Sequence, residues 1–300
     1  MKFKVFSILL TTIFASHAET TNFEPGRIVA TEIKGAVLVG ATKTPIKSGE
    51  KISEGIIQTE SDSSITLLFS NGTVLTVDEN TKLEITEFKQ AGKFEVGSVE
   101  AQIPNDGLKK PLNKIESEPS ISQTNITLYD GTLTAQVKHL HEKSYFFINN
   151  LLGTLKVIGT KWRQSNKWNP NSLTLTAKIE MSDGFVEFTP TKTRREIGPQ
   201  LITRNEQLTI TGLFQNQLGF ENFNIADISA MDIEMSLVRT TFREGDIVFT
   251  LPSNDSWEIG LIDAPLEVLS PEFNGDQGIG DVGTAPFNSV PLPNPPPPAS

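Results

Sequence analysis

The chain contains no cysteine. Disulfides, thiolate metal sites and a lipid-modified cysteine behind a leader are therefore excluded, and stability has to come from a hydrophobic core. Beyond its first residues the chain has no run near the roughly 20 consecutive apolar residues of a membrane helix. Positive charge is scarce, with 26 Lys and Arg against 36 Asp and Glu. Such a surface repels a phosphate backbone, so no nucleic-acid partner is expected. There is no Gly-x-Ser-x-Gly elbow and no glycine-rich loop ending in Gly-Lys-Ser/Thr. Two common signatures of acyl transfer and phosphate binding are thus missing.

What is present begins with a leader. Met1 to Ala18 carries Lys2 and Lys4, then a mostly apolar run about ten residues long from Val5 to Phe14, then Ser16-His17-Ala18 at the cleavage positions. Its removal leaves 26 − 2 = 24 basic residues against 36 acidic ones, a formal charge of −12. The expectation is a soluble protein of the periplasm or the exterior, without a membrane span after cleavage.

Almost every later segment reads as strand. "SITLLFSNGTVLTV" sets Ile65, Leu67 and Phe69 at period two, then Asn71-Gly72, then Leu75 and Val77. Asn-Gly between alternating runs predicts a hairpin through a type I′ turn. The same device recurs at Asp130-Gly131 and Asp183-Gly184, and each is expected to close a hairpin. The three turns stand 59 and 53 residues apart (130 − 71 and 183 − 130), too uneven for a fixed repeat. Short strands with frequent turn residues argue an all-β sandwich, roll or irregular β-helix.

Composition divides the rest. "QIPNDGLKKPLNKIESEPSISQ", 102–123, has three prolines and many charges and is expected to be an exposed insertion. Residues 19–212 form the main β domain and 213–268 a small mixed segment. There "ENFNIADISAMDIEMSL" is the best helix candidate, and "DIVFTL" and "WEIGLIDA" read as strands. Residues 269–300, ending in "PLPNPPPPAS", read as a flexible proline-rich tail.

The order of these motifs resembles the FecR-like domain of exported bacterial proteins. The matching stretches are "GAVLVG" followed by Pro45 and Gly49-Glu50, then "GIIQTESDSSITLLFSNGTVLTVDENTKLEI", "LYDGTLTAQV" and "FFINNLLGTLKVIGT". The family pattern falls on Thr59, Asn71-Gly72-Thr73, Phe147-Ile148 and Val157-Ile158-Gly159-Thr160. Two departures are a longer insertion at 102–123 and Asn149-Asn150 where a Thr-Pro pair is common. The resemblance implies an all-β, roll-like or β-helix-like domain that acts by protein contact rather than catalysis. Its best-known members regulate a sigma factor through a cytosolic segment and a membrane helix. Neither is expected in this chain, so that role is not carried over.

Candidate residues follow from chemistry. His139 and His141, beside Glu142, would share a strand face and are the candidate metal ligands, although no third ligand is evident. No metal or other cofactor is expected. Trp168, in "RQSNKWNPNS", is either an exposed contact for protein or sugar or a lid over a sheet edge. Lys192, Arg194 and Arg195 read as a solvated loop, and Asn274 to Gly283 as a linker rather than a calcium loop. Gly159 is expected to form a bulge that returns Trp162 to the face of Leu155 and Val157. Asn71, Gly72, Gly159, Thr160, Trp162, Asp183 and Gly184 are assigned structural roles. The expected partner is an envelope or secreted protein, with a polysaccharide as the alternative. A glycan-active enzyme with paired carboxylates is the more distant one.

Overall fold

The computed structural model describes residues 21–98, 108–191, 197–214, 234–243, 245–246, 249, 256–263 and 268–274. The leader, the basic loop at 192–195 and the tail beyond 274 lie outside them, as do most of the helix candidate and of "DIVFTL".

The described chain is all-β and builds two large sheets that share one strand. Sheet A runs β4 (Thr44–Pro45), β3 (Val37–Val39), β6 (Gly55–Thr59), β9 (Lys82–Ala91), β12 (Ser122–Gln136) and β13 (Tyr145–Asn150). It continues through β14 (Gly153–Val157) and β17 (Phe185–Pro190) to β18 (Gln200–Thr203), while β1 (Phe23–Pro25) flanks the end of β9. Sheet B runs β5 (Lys51–Ile52), β2 (Ile28–Lys34), β7 (Ser64–Phe69) and β8 (Val74–Val77), then β12 again. Beyond β12 come β15 (Lys161–Asn169), β16 (Thr174–Asp183), β19 (Glu206–Leu213) and β20 (Glu234–Thr241). All these strands belong to one hydrogen-bonded set. Their pairings contain no ring, because the sheets meet only at β12, so the architecture is an open roll rather than a closed barrel.

The core lies between the sheets and follows the period-two pattern. On β16 the inward residues Leu175, Ala177, Ile179 and Met181 are fully buried, as are Ile126, Leu128, Leu133 and Ala135 on β12.

Only one of the three Asx-Gly pairs closes a hairpin. The Phe69 carbonyl accepts the Gly72 N–H at 2.9 Å and the Phe69 N–H donates to Thr73 O at 2.9 Å. Gly72 has φ +87° and Asn71 does not have a positive φ, so the loop is a type I turn with a bulged glycine, not type I′. Asp130-Gly131 instead lies inside β12, where the strand leaves sheet A and enters sheet B. A Cβ on Gly131 would sit 2.4 Å from Thr81 Cα, and its φ is +97°; only glycine lets β12 pass that close. Asp183-Gly184 is the corner at which the chain leaves β16 in sheet B for β17 in sheet A.

Gly159 likewise stands at a corner, between β14 and β15, rather than at a strand bulge. The irregularity falls on the partner strand: Lys161 pairs with Asp183 and Trp162 with Met181, which leaves Ser182 extra. Trp162 is fully buried in the same core as Leu155 and Val157, reached from the opposite sheet, and meets Phe146 edge-to-face at 6.1 Å.

The described part of the insertion, 108–123, packs onto the protein and is not a wholly exposed loop. Leu108, Leu112, Ile115, Glu118, Ser120 and Ile121 are buried. A third sheet, β10 (Lys93–Ser98), β21 (Trp257–Asp263) and β11 (Lys109–Pro111), carries a second core. That core covers the outer-face row Val29, Leu68 and Val74 of sheet B. Leu269 and Phe273 complete it, so the insertion and the C-terminal segment share one apolar cluster. The end of the helix candidate is strand, since Glu234 to Leu237 open β20.

Candidate functional site

Three polar arrangements stand out, and each is made by the topology. The first is an open depression of about 570 Å³ lined by Lys34, Asp62, Ser63, Ser64, Asp78, Glu79, Asn80 and Thr132. It forms where the β6–β7 and β8–β9 connections meet the point at which β12 changes sheet. The Asp62 N–H donates to Glu79 Oε2 at 2.6 Å and the Asp78 N–H to Thr132 O at 3.0 Å. Burial pushes the Asp78 carboxyl above its ordinary range, opposed by Arg163 and reinforced by Glu79. Its lining offers hydrogen bonds of both kinds to a polar ligand.

The second is the outer face of sheet A. A bulge leaves Thr86 extra between Ile85 and Glu87, so Glu84 and Glu87 both point outward. The chain has two tyrosines, and each caps one of these carboxylates. Tyr129 Oη donates to Glu84 and Tyr145 Oη to Glu87, both at 2.6 Å. The Lys89 hydrogen bond, then that of Tyr145, holds Glu87 below its ordinary range. Burial, aided by Glu87, pushes the Tyr145 phenol up to about 12. Tyr145 stacks on Phe147 with centroids 5.2 Å apart, and Lys82 lies over the Tyr129 ring.

The third is buried. Glu118, 1% exposed, accepts from Ser122 Oγ at 2.5 Å, from the His141 N–H at 2.6 Å and from Ser144 Oγ. Asn71 Nδ2 donates to Ser122 Oγ at 3.0 Å, and the Ser122 N–H to Ser144 Oγ at 2.9 Å. Burial pushes the Glu118 carboxyl up to about 7 against these donors.

The residues singled out in the sequence are placed as follows. His139 is exposed beside Ser117, and His141 Nδ1 accepts the Lys143 N–H at 3.2 Å. No group of three side chains suited to a metal ion occurs among the described residues. Trp168 is half-buried, edge-to-face with Phe214 at 5.6 Å and packed on the main core. Asn71 is fully buried, with Oδ1 accepting the Thr73 N–H at 3.1 Å, and Thr160 exchanges backbone hydrogen bonds with Val137. The Asp183 carboxylate accepts the Gly184 N–H at 3.0 Å. Residues 275–283 of the glycine-rich stretch lie outside the described residues.

Sequence reasoning missed Glu118, Asp78 and the Glu84/Glu87 pair. Nothing in "IESEPSIS" marks its second glutamate as buried. The two outward glutamates depend on a bulge that strand pairing alone creates.

No family model matches the chain, and no curated protein does. Two crystal structures of a putative anti-sigma factor from Parabacteroides distasonis, at 2.50 and 1.65 Å resolution, are similar to it at 11% identity. Their TM-scores are 0.36 and 0.34, covering 63% and 62% of this chain and 60% and 59% of theirs. The chain thus spans about three-fifths of the length of those proteins.

Proposed function

We propose that this chain is an exported, FecR-like interaction module of the cell envelope, working by contact with a protein partner and not by catalysis. The observation that carries this reading is where its exposed large apolar side chains lie. Among the described residues they are Phe185, Leu201, Leu213 and Val238, at 43%, 50%, 46% and 56% exposure. All four sit on the last two strands of a sheet: β17 and β18 of sheet A, β19 and β20 of sheet B. Among the described residues β18 and β20 each pair on one side only. Open edges with apolar neighbours are where an extended partner adds a strand. The motif resemblance and the leader at Met1 to Ala18 supply the family and the compartment of the proposal.

The test is capture from envelope extract with the chain from Glu19 to Ser300, beside Leu201→Lys and Val238→Lys variants. A protein retained by the parent and lost from one variant supports the reading. Retention indifferent to both substitutions, or an empty capture, removes it.

A second reading, contact with a polysaccharide, is favoured by the outer face of sheet A. There Tyr145 and Phe147 stand among hydrogen-bonded amides and hydroxyls, with Asn149 donating to Asn125 at 2.5 Å and Thr154 donating to Asn149 at 2.8 Å. A Tyr145→Ala variant that loses retention on an insoluble glycan, with protein capture intact, would move the function there.

A further inference from the structure

Glu118 lies where four stretches of chain converge. They are the insertion that carries it, the β7–β8 turn through Asn71, the start of β12 through Ser122, and the loop before β13 through His141 and Ser144. Every donor to its carboxyl is neutral, and none of the described ion pairs includes it.

The charged and titratable groups around it are otherwise engaged or turned away. Lys138 is buried, but its Nζ donates to Leu112 O at 3.2 Å. Glu116, His139, Glu142 and Lys143 are exposed. The His141 ring accepts the Lys143 N–H. On β9, Lys89 is paired with Glu87, and the neighbouring Gln90 accepts from Ser70 at 2.7 Å. The β7–β8 turn presents only Ser70, Asn71 and Thr73.

We propose that Glu118 is the bolt of a pH-sensitive latch that locks the 116–122 segment and the 139–144 loop onto the β7–β8 turn. As a neutral acid the group needs little, because the Ser122 hydroxyl, which faces Oε2, can rotate to accept its proton while Oε1, as the carbonyl oxygen, keeps the His141 N–H and the Ser144 hydroxyl. As a carboxylate it carries an uncompensated charge away from water, which costs free energy that local opening recovers. The latch is therefore closed at acid pH and loosens as Glu118 ionises, over the window from about 4.5 up to about 7.

The test is amide hydrogen exchange of the full chain, corrected for the intrinsic pH dependence of exchange and read at the His141 and Ser122 amides. Amides in the β14–β17 ladder serve as the reference. Protection at His141 and Ser122 is expected to fall on the order of a hundredfold between pH 5 and 7, about tenfold per pH unit, and to stay level in Glu118→Gln. Level protection in the parent chain, or an equal fall in the variant, overturns the latch. Should Glu118→Gln fail to fold, the carboxyl carbon resonance of Glu118 in the parent chain decides. A midpoint that coincides with the loss of protection supports the latch, and one below pH 5 overturns it.

Discussion

A Cβ placed on Gly184 would lie 2.8 Å from the carbonyl oxygen of Gly159. The two corners of the roll therefore stack on each other, one taking the chain from sheet A to B and the other from B back to A. Gly184 has φ +71°. Gly184→Ala is expected to cost about 2–3 kcal/mol, from both the left-handed backbone and the clash. Gly40, at φ +73° with nothing within 4 Å of its added Cβ, isolates the backbone part. Thermal unfolding of the two alanine variants should show the larger loss at Gly184, and equal losses would mean the corners are not in contact.

The second core predicts what happens when the C-terminal segment is removed. A chain ending at Gly212 loses Ile259, Leu261, Leu269 and Phe273, and with them the cover over Val29, Leu68 and Val74. Each such side chain contributes roughly 1.5–3 kcal/mol by burial. The shortened protein should melt at lower temperature and bind an apolar dye. An unchanged melting temperature would show that residues 213–300 are not needed to complete the fold.

Trp162 is fully buried between the sheets. Trp162→Ala should destabilise by about 3–5 kcal/mol in denaturant titration, while Trp162→Phe should cost less because it keeps an aromatic contact to Phe146.

Stability should pass through a maximum near pH 5. At Glu180 and Glu206 burial raises the carboxyl, but hydrogen bonds outweigh it, from Arg163 and Lys178 in one case and from Thr203 and Arg239 in the other. Both are held below their ordinary range, as is Glu87. Their stabilisation is present above about pH 4.5 and is lost as pH falls through the depressed values. Glu118 acts in the opposite sense: its stabilisation is complete below about 4.5 and is lost as pH rises through about 7. Burial at Asp78 and Asp130 adds in the same direction as Glu118. Chemical unfolding across pH 3 to 8 should show both limbs, and Glu118→Gln should flatten the upper one. A profile that rises steadily to pH 8 would contradict the sign.

Tyr145→Phe removes the donor to Glu87 while preserving the stack on Phe147. The Glu87 carboxyl should move up toward its ordinary range in a carbon-detected titration, with stability changed by about 1 kcal/mol or less. A Glu87 midpoint that does not move would mean that Lys89 alone sets it.

The all-β class was legible because alternation is local: Ile65, Leu67 and Phe69 announce a strand whatever they pair with. The second core left a fainter trace. Leu68 and Val74 break the alternation with apolar residues on the side that should face water, and "QIPNDGLKKPLNKIESEPSISQ" gave no hint that Leu112 and Ile115 cover them. Trp162 belonged in the core on size alone, but the corner that places it there was invisible. A glycine of positive φ serves a G1 bulge and a change of sheet alike, so Gly159 did not tell the two apart.

By itself the sequence determined strand content, the Asn71-Gly72 hairpin, the absence of thiol chemistry and an acidic surface, since each depends on residue type or on neighbours a few positions apart. Only the tertiary structure decided that Asp130-Gly131 lies within a strand and Asp183-Gly184 at a corner. A turn residue specifies a local backbone conformation, whereas the strands that pair on either side of it are chosen by side-chain packing against partners as far away as Gln90 is from Ser122. The same long-range packing gathered Asn71, Glu118, Ser122, His141 and Ser144 around one buried carboxyl, an environment that none of those residues carries in its own stretch of chain.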